Sequence, residues 1–217
     1  MSNSLDIKHW QNFYSEAKVI TAITYGRSGL AFFKRLFDQH PQFVSITLMF
    51  YEYHDLRVVF HDNKSILSSD FYDFAVSDSG FADLSKDLTE PLREKIIYMG
   101  DDPDAPFDRQ LVRSCLKKIV FQDKYITRKK ALLSMHFAYA VGLGRDVSKL
   151  KGIIMTESVK GQQDKFMFEW FKEDFKNHLL IHLARDIKSS YTSLKTLYSN
   201  SFGSLYPLAY PELINSV

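Results

Sequence analysis

Short apolar runs alternate with amphipathic segments along this chain. Runs rich in aliphatic and β-branched residues predict four buried strands. They are Lys18–Thr24 and residues 43–46, 150–156 and 179–184. Residues 30–39 and 164–175 place apolar side chains three and four positions apart, which is the spacing of a helix with one buried face. Strands that alternate with helices predict an α/β fold with a parallel sheet.

The region between about residues 51 and 149 has a different pattern. Helical spacing there predicts three helices, over residues 89–98, 107–121 and 128–141. Gly142 and Gly144 would end the last helix, because glycine is common just past a helix end. Residues 62–87 are rich in Ser, Asp and Asn and predict loops. We expect one domain over residues 1–217, with the middle region as a largely helical insertion or cap.

Composition excludes several classes of protein. The chain has 217 residues, of which 45% are hydrophobic and 25% charged, so it has ordinary globular composition. A single cysteine, Cys115, allows no disulfide within the chain, predicts a buried thiol and favours a reducing compartment. No apolar run has the length of a membrane span, and the first residues lack a signal-peptide pattern. These features predict a soluble, cytoplasmic protein.

Charge gives a weaker indication of partners. The formal net charge is only +2, so no overall field favours nucleic acid, and we expect no nucleic-acid partner. Basic residues nevertheless cluster between residues 117 and 130. The common interpretation of such a cluster is a solvated helix face. The alternative is a surface that meets an anionic ligand.

A glycine-containing turn follows the first predicted strand. Residues 24–31 read TYGRSGLA and lie between that strand and the helix predicted over 30–39. Glycines permit close backbone approach, and a helix start offers unpaired N–H groups and a positive dipole end. Arg27 adds a forked cationic donor and Ser28 a hydroxyl, which together predict a phosphate site. The alternative is a tight turn with a surface arginine.

A second strand-end constellation lies near the carboxyl end of the chain. Residues 179–193 read LLIHLARDIKSSYTS, with Arg185 directly after a buried strand and Ser193 eight residues later. Ligands of open α/β sheets bind beyond the carboxyl ends of strands. Arg185 and Ser193 are therefore candidates to hold one phosphate from two sides, although strand-end Arg–Asp pairs are common.

The two segments together resemble the donor-binding signatures of the sulfotransferase superfamily. Residues 19–41, VITAITYGRSGLAFFKRLFDQHP, resemble its 5′-phosphosulfate loop, whose usual form is a strand, G-x-P-R/K-S-G-T-T, a helix and often HP. Residues 177–193 resemble its 3′-phosphate site, usually RDP with a serine eight positions after the arginine. The resemblance implies a P-loop-like parallel sheet flanked by helices.

The resemblance also implies a ligand and a reaction. The donor substrate would be 3′-phosphoadenosine 5′-phosphosulfate, and the acceptor a hydroxyl or amine on a small molecule, lipid or carbohydrate. Arg27 would contact the transferring sulfonate, and Arg185 and Ser193 would bind the 3′-phosphate. The residues around the 5′ side would be Gly26, Arg27, Ser28, Gly29, Leu30 and Ala31. No metal-ligand spacing is present, and we expect no metal.

Departures from the family pattern keep a second hypothesis open. Leu30 and Ala31 replace two hydroxyl residues, Gly26 replaces a proline, and Ile187 replaces the proline of RDP. Each lost hydrogen bond to a charged group is worth about 1.5–3 kcal/mol. The leading hypothesis is an active sulfotransferase, and the alternative is an inactive nucleotide-binding or interaction module. A kinase-like phosphotransferase is disfavoured, because the G-x-x-x-x-G-K-S/T loop is absent.

The general base is sought a dozen or so residues after the HP pair, where several branches of the family place it. Glu52, His54 and Asp55 lie there, in the sequence FYEYHDLR, and Glu52 is the first choice. His61 and His136 are further possibilities that no position in the pattern supports. A surface or structural polar role is the alternative for each of these residues.

Overall fold

The fold was analysed in a computed structural model. The structure describes residues 7–24, 33, 36–37, 40–46, 52–77, 107–158, 165–176, 178–184 and 186. The helices of this part are α1 Ile7–Glu16, α2 Glu52–Phe60, α3 Ser68–Val76, α4 Arg109–Val120, α5 Arg128–Gly142 and α6 Lys165–Asp174. The strands are β1 Lys18–Thr24, β2 Phe43–Val44, β3 Ser65–Leu67, β4 Tyr125–Thr127, β5 Gly152–Ser158 and β6 His178–Leu183.

Four of these strands form one parallel sheet in the order β2-β5-β1-β6. The central strand β1 is hydrogen-bonded on both sides, with Thr24 paired to Ser158 of β5 and to Leu183 of β6. Strands β3 and β4 form a separate antiparallel pair. The prediction of an α/β fold with a parallel sheet flanked by helices is confirmed at this level.

The strong patterns gave accurate elements, and the weak ones did not. All four predicted strands and the helices α4, α5 and α6 are present, with ends that differ by at most two residues. The loop predicted over residues 62–87 is wrong in part, because Ser65–Leu67 is a strand and Ser68–Val76 a helix. The helix predicted over 89–98, and most of that over 30–39, lie outside the described residues.

Each face of the parallel sheet is covered by a different part of the chain. On β1, Val19 and Ile23 belong to the large core, which also contains apolar residues of all six described helices. Ala22 faces the other way and packs in a smaller cluster with Ile154 and Phe33. This alternation is the period of two expected of a strand with two buried faces.

The middle region shares its core with the sheet. Helix α5 is buried on nearly every side, and the ring of Phe137 lies 5.6 Å from Trp10 and 5.4 Å from Phe13 of α1. Cys115 on α4 is buried, as predicted, and burial raises the pKa of its thiol to about 12. Gly144 follows α5 with a φ of 68°, a left-handed conformation that glycine adopts without strain.

A buried arginine joins the middle region to α6. Arg128, at the start of α5, is 1% exposed and lies 4.3 Å above the Trp170 ring. Its guanidinium donates to Glu173 at 2.7 Å, to Asp174 at 3.2 Å and to the Asn63 carbonyl at 3.0 Å. Arg128 therefore holds the ends of three segments of the chain together.

The pKa values of the two carboxylates shift in opposite directions, although Arg128 lowers both. The hydrogen bond from Arg128 lowers the pKa of exposed Glu173. Ionised Glu173 therefore contributes to stability, and that contribution is lost as pH falls through the lowered pKa. Burial raises the pKa of Asp174 more than Arg128 and Tyr53 lower it. Folding therefore disfavours the charged form of Asp174, and this residue's contribution to stability falls as pH rises through its raised pKa.

Replacing Arg128 tests this junction. We expect Arg128→Met to lower the free energy of unfolding by about 3–5 kcal/mol, because it leaves Asp174 buried without its cation. The deficit should shrink as pH falls and Asp174 becomes protonated. Lys64→Met is the matched control, since Lys64 is exposed and its 3.2 Å bridge to Glu173 should be worth less than about 1 kcal/mol. Urea unfolding at several pH values measures both, and equal losses in the two variants would contradict the account.

Candidate functional site

The carboxyl edge of the parallel sheet is where the two predicted ligand-binding segments begin. Strand β1 ends at Thr24, and residues 25–31 follow it directly. Strand β6 ends at Leu183, and Arg185 comes two residues later. Because Thr24 and Leu183 are paired on adjacent parallel strands, both segments leave the sheet at one edge, from strands about 4.8 Å apart.

The connections at this edge diverge to opposite faces. The chain passes from β1 to β2 in one direction across the sheet and from β5 to β6 in the other. Phe33, on the first connection, packs with Ala22 on the smaller face, while α6, on the second, buries Met167 and Phe171 in the large core. The carboxyl ends of β1 and β5 therefore flank a topological switch point, where ligands of open α/β sheets bind.

Few residues separate the end of β1 from Phe33, the next residue that the structure describes. Only eight residues join Thr24 to Phe33, and Phe33 already packs against Ala22, two residues before the end of β1. Phe37 continues on the same face, with its ring centroid 5.2 Å from that of Phe33.

The HP pair begins a turn that leads into β2. The Gln42 amide donates to Nδ1 of His40 at 3.2 Å, and the Phe43 amide donates to the His40 carbonyl at 3.3 Å. Arg145, which follows α5, donates through Nη2 to the carbonyls of His40 and Phe43. Sequence patterns did not point to Arg145, because its partners are backbone groups about a hundred residues away.

The predicted donor-binding residues lie outside the part of the chain that the structure describes. They are Gly26, Arg27, Ser28, Gly29, Leu30, Ala31, Arg185 and Ser193. The pairing of β1 with β6 fixes where their segments leave the sheet. The placement of these side chains stays a prediction.

The candidate base residues lie at the start of α2. Glu52 is the first residue of this helix, and the side chains of Glu52 and Asp55 are outside the described set. The His54 side chain is half-buried, with its ring 5.5 Å from Phe166 in an edge-on arrangement. The Arg57 guanidinium lies 4.2 Å from the centre of the same Phe166 ring.

Phe166, which contacts this cluster, lies a few residues after β5 in the chain. It is the second residue of α6, and only six residues join the carboxyl end of β5 to that helix. Helix α2 also contacts β5 directly. His54 therefore lies beside α6, the helix that follows β5 in the chain.

The other candidate histidines are less suitable. His136 is completely buried on α5, and its Nδ1 lies 2.9 Å from the Leu132 carbonyl, so it belongs to the core and has no contact with solvent. His61 follows the end of α2 in a left-handed conformation, with a φ of 50°. Its position is that of a helix-terminating residue.

Within the described ranges, no three His, Cys, Asp or Glu side chains come together as a metal site requires. None of the described helices has the length and apolar character needed to cross a bilayer.

Comparison of the chain with protein-family models, with curated proteins and with solved structures found no match.

Proposed function

We propose that this protein binds 3′-phosphoadenosine 5′-phosphosulfate at the carboxyl edge of its parallel sheet and transfers the sulfonate to a hydroxyl or amine acceptor. The observation that carries the proposal is the pairing of Thr24 with Leu183. It brings the start of the YGRSG loop and the segment of Arg185 to neighbouring strand ends. A nucleotide with phosphates at both its 3′ and 5′ positions matches two anion-binding segments at one edge.

The reaction assigns a separate task to each segment. The acceptor oxygen or nitrogen would form a bond to sulfur while the bond from sulfur to the bridging phosphate oxygen breaks, releasing adenosine 3′,5′-bisphosphate. Arg27 and the loop amides would stabilise charge that develops on the bridging oxygen. Arg185 and Ser193 would hold the 3′-phosphate, whose charge is unchanged. Glu52 would take the acceptor proton, with His54 as the alternative base.

A second candidate function is binding without transfer. Leu30 and Ala31 supply no hydroxyl where the sulfotransferase pattern has two, so the loop would rely on backbone N–H groups and Arg27. Such a site would bind the nucleotide more weakly. The protein would then act as a nucleotide-binding or interaction module on the same fold.

Nucleotide titration tests the site itself. We expect saturable binding of adenosine 3′,5′-bisphosphate in isothermal calorimetry. Arg185→Ala should weaken binding by about 10–100-fold, because a charged hydrogen bond contributes about 1.5–3 kcal/mol. Leu30→Thr with Ala31→Thr should tighten it. Lys151→Ala, which removes a cation at the opposite, amino edge of the sheet, is the matched control and should change nothing. Absence of binding by the folded wild-type protein would reject both candidate functions.

Steady-state kinetics separate the roles of the two arginines. Arg27→Ala should lower kcat by about 10²–10³-fold with a modest change in KM, because its contact strengthens in the transition state. Arg185→Ala should raise the donor KM and leave kcat nearly unchanged, because the 3′-phosphate is bound uniformly. The measurement uses labelled donor and a panel of hydroxyl and amine acceptors. If wild-type protein binds the nucleotide but transfers sulfonate to none of them, the binding module is the better account.

Two variants that remove a titratable group distinguish the candidate bases. Glu52→Gln should lower kcat by about 10²–10⁴-fold without weakening nucleotide binding, as expected for loss of a general base. His54→Gln should lower kcat less than tenfold, because the His54 ring packs against Phe166. The reverse ranking of the two variants would assign the base to His54.

A further inference from the structure

Four apolar side chains form an exposed patch on the side of the molecule built by α3, α4 and the β3–β4 pair. Leu67 is 38% exposed, Phe121 49% and Tyr125 55%, and Tyr72 is half-buried beside them. Large aromatic side chains at this exposure, grouped in one place, often mark an interaction surface. We call these four residues, together with Lys117, Lys118 and Lys124, the aromatic–basic surface.

Backbone pairing holds this surface in place. Leu67 of β3 is paired with Tyr125 of β4, so their side chains are neighbours across the strands. Ser68 fixes the turn at residues 121–124, because its amide donates to the Lys124 carbonyl at 3.0 Å and its hydroxyl to the Asp123 carbonyl at 2.6 Å. The surface is therefore presented by ordered backbone.

The rings of Phe121 and Tyr125 are exposed, although both neighbours of this turn are buried. Val120 and Ile126, immediately outside the turn, are completely buried, whereas residues 121–125 are exposed in succession. The Phe121 ring lies 5.5 Å from Tyr72 at the surface. The turn is exposed to solvent, and the rings of Phe121 and Tyr125 lie outside the buried core.

Positive charge borders the rings on the α4 side. Lys117 and Lys118 are exposed in the last turn of α4, and the Lys124 ammonium lies 5.5 Å from the centre of the Tyr125 ring. The nearest carboxylate on this turn, Asp123, forms a 2.6 Å ion pair with Lys130. The turn and the end of α4 therefore present net positive charge.

The α3 side carries two exposed carboxylates. Burial raises the pKa of Tyr72, while Arg113 lowers it and Asp73, with a smaller effect, raises it, so that both a cation and a carboxylate face this ring. Asp70 accepts a hydrogen bond from the Ser69 hydroxyl at 3.1 Å and faces solvent. A negatively charged partner is therefore favoured at α4 and the turn, and disfavoured towards Asp70.

We propose that the aromatic–basic surface docks the protein on anionic phospholipid bilayers. Aromatic rings are favoured at the depth of the lipid headgroups, and lysines near the surface are attracted to anionic lipids. A peptide that adds a strand would require a long free strand edge, whereas β3 and β4 have three residues each. A bilayer interface accommodates exposed aromatic rings without a preformed groove.

Vesicle co-sedimentation tests the proposal on the full chain. Wild-type protein should bind vesicles of phosphatidylcholine containing phosphatidylserine, and bind pure phosphatidylcholine vesicles much less. Each lysine near the surface contributes about fivefold to binding, so replacing Lys117, Lys118 and Lys124 with Gln should weaken it by about 100-fold. The control replaces three exposed lysines elsewhere, Lys151, Lys172 and Lys176, with Gln.

A second set of variants tests the apolar contribution to vesicle binding. Phe121→Ser with Tyr125→Ser should weaken vesicle binding by more than tenfold at unchanged net charge. Val58→Ser is the control, because Val58 is 63% exposed on α2, a helix that carries none of the residues of this surface. Since all the replaced side chains are exposed, the variants should keep the wild-type unfolding midpoint.

A local probe shows whether this surface meets the lipid. The native tryptophans, Trp10 and Trp170, are 2% and 6% exposed. In a Phe121→Trp variant, the new fluorescence should shift to the blue on adding anionic vesicles and be quenched by brominated lipid. Failure of the wild type to bind anionic vesicles, equal losses in the two lysine triples, or no quenching of the introduced indole would each overturn the proposal. Tight binding of single-stranded RNA in place of vesicles would also overturn it and assign the rings to base stacking.

Discussion

The central strand β1 is the constraint on which the rest of this structure depends. It pairs in parallel with β5 and β6 at once, so its register fixes both neighbours and the edge at which all three strands end. Gly152 contributes to that register, because a Cβ at this position would overlap the carbonyl oxygen of Lys18 on β1. The candidate site is built on this alignment: residues that are about 160 positions apart in sequence leave the sheet at adjacent strand ends.

The helices pack on this sheet and on one another through two contrasting kinds of contact. Most of the attachment is apolar, with α5 buried among α1, α2, α4 and the sheet. A contrasting, charged contact is made by Arg128, whose charge is compensated by Glu173 and Asp174 and covered by Trp170. A buried charge of this kind tolerates few alternative arrangements, because each unpaired state would leave an ion without solvent. This contact therefore favours one position of α6, whose first turn carries Phe166 against His54.

Sequence periodicity predicted the parallel sheet and the helices α4, α5 and α6, because their residues are buried on one or more faces. β1 is apolar or β-branched at nearly every position, and its predicted and observed bounds agree. The helix α3 was missed because only Ser68, Phe71 and Ala75 are buried in a segment otherwise rich in Ser and Asp. Arg145 and Arg128 could not have been found from local sequence, since their partners are distant backbone carbonyls and carboxylates. The edge at which the candidate site lies could be predicted, because it follows from parallel pairing alone, while its side-chain geometry could not.

A crystal structure of the protein grown with adenosine 3′,5′-bisphosphate tests the central claim most directly. The account predicts nucleotide density beyond the carboxyl ends of β1 and β6, with the 5′-phosphate at the amides of residues 26–31 and the 3′-phosphate within hydrogen-bond distance of Arg185 and Ser193. Nucleotide bound at the amino edge of the sheet or in the middle region, with those residues more than about 10 Å from either phosphate, would contradict it.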